Sequence, residues 1–185
     1  MKYYDEWSYK YDKDMEDWNY TGPKETSKLF NKYSSDKNVK IYDAGCGTGL
    51  VGVELKKYGF SNFFGADLSQ KLLDLVPKGL YTTLDKVDLN KPVNEKDSSF
   101  DAVMCVGTFT FGHVKPHALD EFINICSKID FFHYASDKSF RGRDFVMRKI
   151  SKHFNPYATV IMDDIDDNLF FKNFVEKEKL NQIFF

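Results

Sequence analysis

Ile41-Tyr42-Asp43-Ala44-Gly45-Cys46-Gly47-Thr48-Gly49 is the stretch of this 185-residue chain that decides its fold. Val39 to Asp43 alternates and concentrates strand-forming side chains, and it runs straight into glycines at alternate positions. Glycine lets a backbone bend sharply and approach a ligand without a Cβ in the way. Leu50 to Tyr58 then has helical apolar spacing and stops at Gly59. A strand, a glycine turn and a helix whose free N–H groups face the turn make one unit of a parallel α/β sheet.

Reading outward gives more such units. Asn62 to Asp67 predicts a second strand, and Ser69 to Val76 a helix capped by Ser69 and closed by Pro77. A third strand is expected within Tyr81 to Leu89, and a fourth at Phe100 to Val106. A helix follows from Lys115 to Ile129, its apolar face made by Leu119, Phe122, Ile123, Cys126 and Ile129. Strands alternating with helices imply a mostly parallel sheet with right-handed crossovers and flanking helices. Before the first strand, residues 1–22 are rich in Tyr, Trp and Asp. They close on Gly22-Pro23 and lead into a polar helix from Lys24 to about Ser35, so residues 1–36 form a helical cap.

Composition narrows the function classes. Apolar residues are 42% and charged residues 29%, values of a globular protein with one self-sufficient core. The net charge of -2 provides no basic field for nucleic acid or an anionic membrane, and no segment approaches 18 apolar residues. Cys46, Cys105 and Cys126 are an odd number without C-x-x-C spacing, so neither disulfides nor zinc is expected. Asp163, Asp164, Asp166 and Asp167 match no calcium loop, and no metal is expected there either. A reducing, cytoplasmic home and a small-molecule partner are the simplest expectation; oligomeric state is not legible.

Two ligand classes fit the turn by pattern alone. Gly47-Thr48-Gly49-Leu50-Val51-Gly52 satisfies G-x-G-x-x-G, and Asp67 lies at a spacing suited to a ribose, so NAD and an NAD-dependent oxidoreductase are one reading. Asp43 argues the other way. A carboxylate two residues before the first glycine would repel a pyrophosphate, whereas it attracts a cationic ligand. The whole stretch resembles motif I of the Rossmann-like, class I S-adenosylmethionine-dependent methyltransferases. Gly65-Ala66-Asp67-Leu68-Ser69 resembles motif II, whose acidic residue holds the ribose. Asp88-Leu89-Asn90 resembles the adenine-binding segment after the third strand, and Phe100 to Phe109 resembles motif IV. With Tyr4-Asp5-Glu6-Trp7, Tyr11 to Met15 and Gly107 to Val114, the likeness narrows to the Williams-Beuren syndrome region methyltransferases over residues 3–130.

The resemblance implies an S-adenosylmethionine-binding core over residues 1–130 and methyl transfer to a small acceptor. Its cofactor residues would be Asp43, Ala44, Gly45, Cys46, Gly47 and Gly49 in motif I, then Asp67 and Leu68, Asp88 and Leu89, and Cys105, Val106 and Gly107. Tyr11 and Tyr20 would fold over the cofactor as a lid, and His113 is the candidate general base. An alternative from another class is a non-catalytic cofactor-binding or interaction module. It arises because residues 131–185 lack the family's glycine pair, fifth strand and closing hairpin. The expectation is therefore a divergent, alternatively spliced or out-of-frame C-terminal segment of the same domain. Its last strands would be missing or replaced, with Val160 to Met162 as a substitute strand and Leu169 to Leu180 as a helix.

Overall fold

The structure is a computed structural model and describes residues 8–17, 20–109, 114–115, 117–126, 131–134 and 159–161. After a short 3-10 turn at Ser8–Lys10, two cap helices follow, α1 (Tyr11–Asp17) and α2 (Gly22–Tyr33). The second starts two residues earlier than its sequence pattern. Pro23 supplies the fixed φ that a first turn accepts, and Thr26 Oγ1 donates to the Gly22 carbonyl at 2.6 Å.

Next come β1 (Ile41–Ala44), α3 (Leu50–Lys57), β2 (Phe63–Asp67), α4 (Gln70–Leu73), β3 (Thr83–Lys86), β4 (Ala102–Cys105) and α5 (Ala118–Ile125). Two short strands, β5 (Phe131–Tyr134) and β6 (Thr159–Ile161), complete the described elements. The strand order is β3-β2-β1-β4-β5-β6, and every pairing is parallel. Asp43 of β1 lies opposite Gly65 of β2 on one side and Met104 of β4 on the other.

Residues alternate between two apolar cores, as the two faces of a strand require. Ile41, Ala102 and Met104 pack with Phe30 and Leu55 from the helices and Phe60 from the loop before β2 on one face. Tyr42, Ala44, Val103 and Cys105 pack with Phe109, Leu119 and Phe122 on the other. Because both faces are covered, all four residues of β1 and of β4 are buried. The free edge, β3, is exposed along its whole length. It is short and carries Asp85 and Lys86, features that discourage pairing with another chain.

In the C-terminal segment the strands are replaced, the second of the two outcomes expected for it. The sheet does not stop at β4: Phe131-Phe132-His133-Tyr134, an aromatic run with high strand propensity, pairs with β4 although it lacks the family's glycine pair. The substitute strand forms at Thr159–Ile161, within the stretch whose apolar residues favoured it. The helix expected at Leu169 to Leu180 and the acidic turn before it lie outside the described residues. The helices after β2 and β4 are shorter than their apolar patterns. α4 keeps only four residues because Pro77 follows closely, and α5 ends at Ile125, where Cys126 turns extended.

Candidate functional site

The C-terminal ends of β1, β2 and β4 meet where the strand order reverses, the place where open parallel sheets bind ligands. A cavity of about 290 Å³ opens there. The segments after four successive strands form its wall: Gly45 and Gly47, then Asp67 to Ser69, Val87 to Asn90, and Val106 to Thr108. Tyr11 of the cap closes one side.

The glycine turn is bolted to β2 by its backbone. Gly45 N–H and Cys46 N–H both donate to the Ala66 carbonyl, at 2.7 and 3.1 Å. Gly47 has a left-handed φ of 54°, and a Cβ there would meet nothing within 4 Å. No atom of the described residues fills the place, so the backbone at this position is open to the cavity. Gly107, φ 69°, is the opposite case: a Cβ there would sit 2.4 Å from Tyr20 Oη. Tyr20 is thus pressed on the turn after β4, behind the wall and outside the cavity lining.

Asp67 is the best-held acid of the site. Its Oδ2 accepts from Gly47 N–H at 3.0 Å and its Oδ1 from Ser69 N–H at 2.8 Å. Burial pushes its carboxyl above the ordinary range, and these backbone donors pull it back. Ser69 also caps α4, its Oγ accepting from Leu72 N–H. Asp88 is held down by the Asn90 N–H on its Oδ1 at 3.1 Å, with Lys91 Nζ 3.4 Å from its other oxygen. Asn90 is clamped in turn: its Oδ1 accepts from Lys115 N–H at 2.8 Å, and His117 Nε2 lies 3.0 Å from its carbonyl.

Asp43 stands apart from this wall. It is 2% exposed, its Oδ2 accepts from Tyr81 Oη at 2.5 Å, and its Oδ1 has no hydrogen-bond partner among the described residues. Burial, together with Asp67 nearby, raises its carboxyl to about 7 against the Tyr81 hydrogen bond.

The cavity therefore gathers Tyr11, Gly45, Gly47, Asp67, Leu68, Asp88, Leu89, Val106 and Gly107 from the residues expected in sequence. Asp43, Ala44, Cys46 and Cys105 are buried behind it, where strand residues of a doubly covered sheet must go. Gly49 opens α3 and packs against Tyr81, Leu80 and Val76. His113 lies outside the described residues. The cavity also takes in Asn90 and Thr108, which lie inside motifs recognised in the sequence but were not named among the cofactor residues. Sequence reasoning missed Tyr81, whose partner is 38 residues away, and the bond from Thr48 Oγ1 to Asp12 Oδ1 at 2.5 Å that fastens α1 to the glycine turn.

Comparison with known proteins agrees with this fold. Residues 41–129 match the family described as Methyltransferase domain. The fold is that of the class I, Rossmann-like methyltransferases. Human Methyltransferase-like protein 27 is 32% identical over 125 residues, 65% of this chain and 51% of that protein, so the chain spans about half the length of this relative. Two solved structures share the fold. A methyltransferase of Thermotoga maritima superimposes with a TM-score of 0.53 at 20% identity, over 95% of this chain and 78% of its own. A structure of the complex between the Haloferax volcanii Trm112 methyltransferase activator and a methyltransferase gives 0.53 at 22% identity, over 66% and 54%. Methyltransferases of this kind imply S-adenosylmethionine as cofactor. No helix among the described residues is long and apolar enough to cross a membrane.

Proposed function

We propose that the cavity binds S-adenosylmethionine and that the protein transfers its methyl group to a small-molecule acceptor. The observation that carries this reading is Asp67, a carboxylate on the cavity wall locked by the N–H groups of Gly47 and Ser69. Locked in this way it offers its remaining lone pairs to a vicinal diol without rearrangement. The open space at Gly47 and the apolar wall of Leu68, Leu89 and Val106 suit a nucleoside, with Asp88 and Asn90 at the far end for its base. The family's fit to this cofactor is thus matched by the donor set present.

When bound, the cofactor supplies a methyl group already activated by a sulfonium. The protein's own work is to orient, to exclude water and to accept a proton where the acceptor has one to lose. Tyr11 and the Thr48–Asp12 contact close the cap over the cavity, and His113, in the segment after β4, is the base we assign. The buried thiols Cys46, Cys105 and Cys126 suit a reducing cytoplasmic compartment.

The dinucleotide reading loses its support in the glycines. Gly49, the glycine through which that fingerprint approaches a pyrophosphate, packs against Tyr81, Leu80 and Val76 and does not line the cavity. Calorimetry with S-adenosylmethionine, S-adenosylhomocysteine and NADH tests the proposal. Binding of the first two and not the third is expected, together with S-adenosylhomocysteine release when an acceptor is supplied and slower release in His113→Gln. NADH binding alone would overturn the reading; tight cofactor binding without transfer to any acceptor would reduce the domain to a binding module.

A further inference from the structure

The second and third glycines of the G-x-G-x-x-G pattern have a use inside the protein. A Cβ on Gly49 would lie 3.2 Å from Tyr81 Cε2, one on Gly52 2.7 Å from Tyr81 Oη, and one on Gly65 2.9 Å from Tyr81 Cδ1. Glycines from the start of α3 and from the middle of β2 thus leave a slot the width of one aromatic ring. Phe63 packs at its side, tilted by 58° with ring centroids 5.8 Å apart. The slot delivers the Tyr81 hydroxyl to Asp43 Oδ2 at 2.5 Å. The ring fills the slot by itself, and what the hydroxyl adds is the hydrogen bond to Asp43.

We propose that Tyr81 is a positioning residue for cofactor binding: its hydroxyl fixes Asp43, the buried carboxylate through which the protein answers the cofactor's positive charge. This rests on the cofactor reading given above. The groups facing Asp43 are Asp67 at the end of β2, Tyr81 from the segment before β3, Cys46 in the turn, Cys105 on β4 and Tyr42 beside it on β1. None of these described groups is a cation. Burial raises the Cys46 and Cys105 thiols and the Tyr42 and Tyr81 phenols, so all four are neutral at neutral pH. Asp43, standing at about 7, is then the group free to change charge, and Oδ1 is its unpartnered face among the described residues.

A cationic ligand brought to the cavity favours ionised Asp43, so binding expels a proton and tightens as pH rises through about 7. Tyr81 sets where on the pH scale this happens, because a hydrogen bond donated to the carboxylate favours its charged form. Removing the hydroxyl moves the transition upward by about one pH unit.

Titration calorimetry of the full chain with S-adenosylmethionine and S-adenosylhomocysteine, from pH 6 to 9 and in two buffers of different ionisation heat, tests this. Wild type, Tyr81→Phe and Asp43→Asn are compared, because the ligands' own α-amino group titrates in the same range and contributes equally to all three. Wild type should weaken up to about tenfold per pH unit below its midpoint. Tyr81→Phe should keep its affinity at pH 9 and shift the midpoint upward. Asp43→Asn should lose the proton release that wild type shows in excess of the ligand. An unchanged midpoint in Tyr81→Phe overturns the proposal while leaving the cofactor reading intact. Equal proton release by wild type and Asp43→Asn overturns it as well, whether or not Tyr81→Phe folds. No binding by wild type at any pH overturns the cofactor reading and this inference with it.

Discussion

The ends of β1 and β2 carry the same residue in neighbouring, hydrogen-bonded strands, yet Asp43 and Asp67 are built for different work. Asp67 is gripped by two backbone N–H groups and reaches the cavity wall. Asp43 is gripped by one phenol, keeps one oxygen empty among the described residues, and lies sealed behind the wall. Backbone donors are fixed by the fold and stabilise a permanent charge. A single side-chain donor in a dry environment leaves the charge state open. The comparison teaches that a recognised acidic position has to be read with its donors before it is given a role.

The largest effect expected is on Asp67. Asp67→Ala removes the diol acceptor and frees the Gly47 and Ser69 amides, so S-adenosylmethionine affinity should fall by about 100-fold or more. Asp67→Asn, which can still accept from one of them, should lie between. Calorimetry at pH 8 measures both. The contrast between the two acids breaks if Asp43→Ala costs more affinity than Asp67→Ala under the same conditions.

Asp43 should instead declare itself in stability. Its carboxyl stands at about 7 in the folded protein against 3.8 ordinarily, so folding favours its protonated form. The stability it contributes is fully present below about 3.8 and lost as pH rises to about 7, beyond which the loss is constant. Wild type should accordingly be less stable at pH 8 than Asp43→Asn, by up to about 4 kcal/mol, with the gap closing towards pH 4. Urea unfolding at the two pH values reads this, and a gap independent of pH would show that Asp43 does not titrate in the fold.

Much of this site was legible before the structure. The positions at and after the ends of β1, β2, β3 and β4 were readable because they hold small or acidic residues that a ligand or a turn explains, as at Gly47, Asp67, Asp88 and Gly107. What escaped was partnership over distance. Tyr81 sits in an unremarkable segment, and only the packed ring shows why Gly49 and Gly52 are glycine. The same distance hid the true depth of Asp43: β1 is covered on both faces, so a side chain at its end is drawn inside whatever its charge. In the C-terminal segment a family pattern outweighed plain propensity, and the aromatic strand at Phe131–Tyr134 was passed over for lack of a glycine pair.

The smallest effect belongs to the cap. Thr48 Oγ1 is buried in the glycine turn and donates to Asp12 Oδ1, on the exposed side of α1, at 2.5 Å. Neighbouring Tyr11 reaches the cavity, so this bond joins the cap to the same turn whose next strand carries Asp67. Because one partner faces water, solvent replaces it at little cost, and Asp12→Ala should lower Tm by only about 2 °C. Its effect on ligand exchange should be clearer: a loosened α1 uncovers the cavity, raising cofactor dissociation about threefold while association changes less. Thr48→Val should give the same dissociation rate, and the double variant no more than either alone. Additive effects would mean that the two side chains act separately, and the cap would then owe its position to Tyr20 against Gly107 instead.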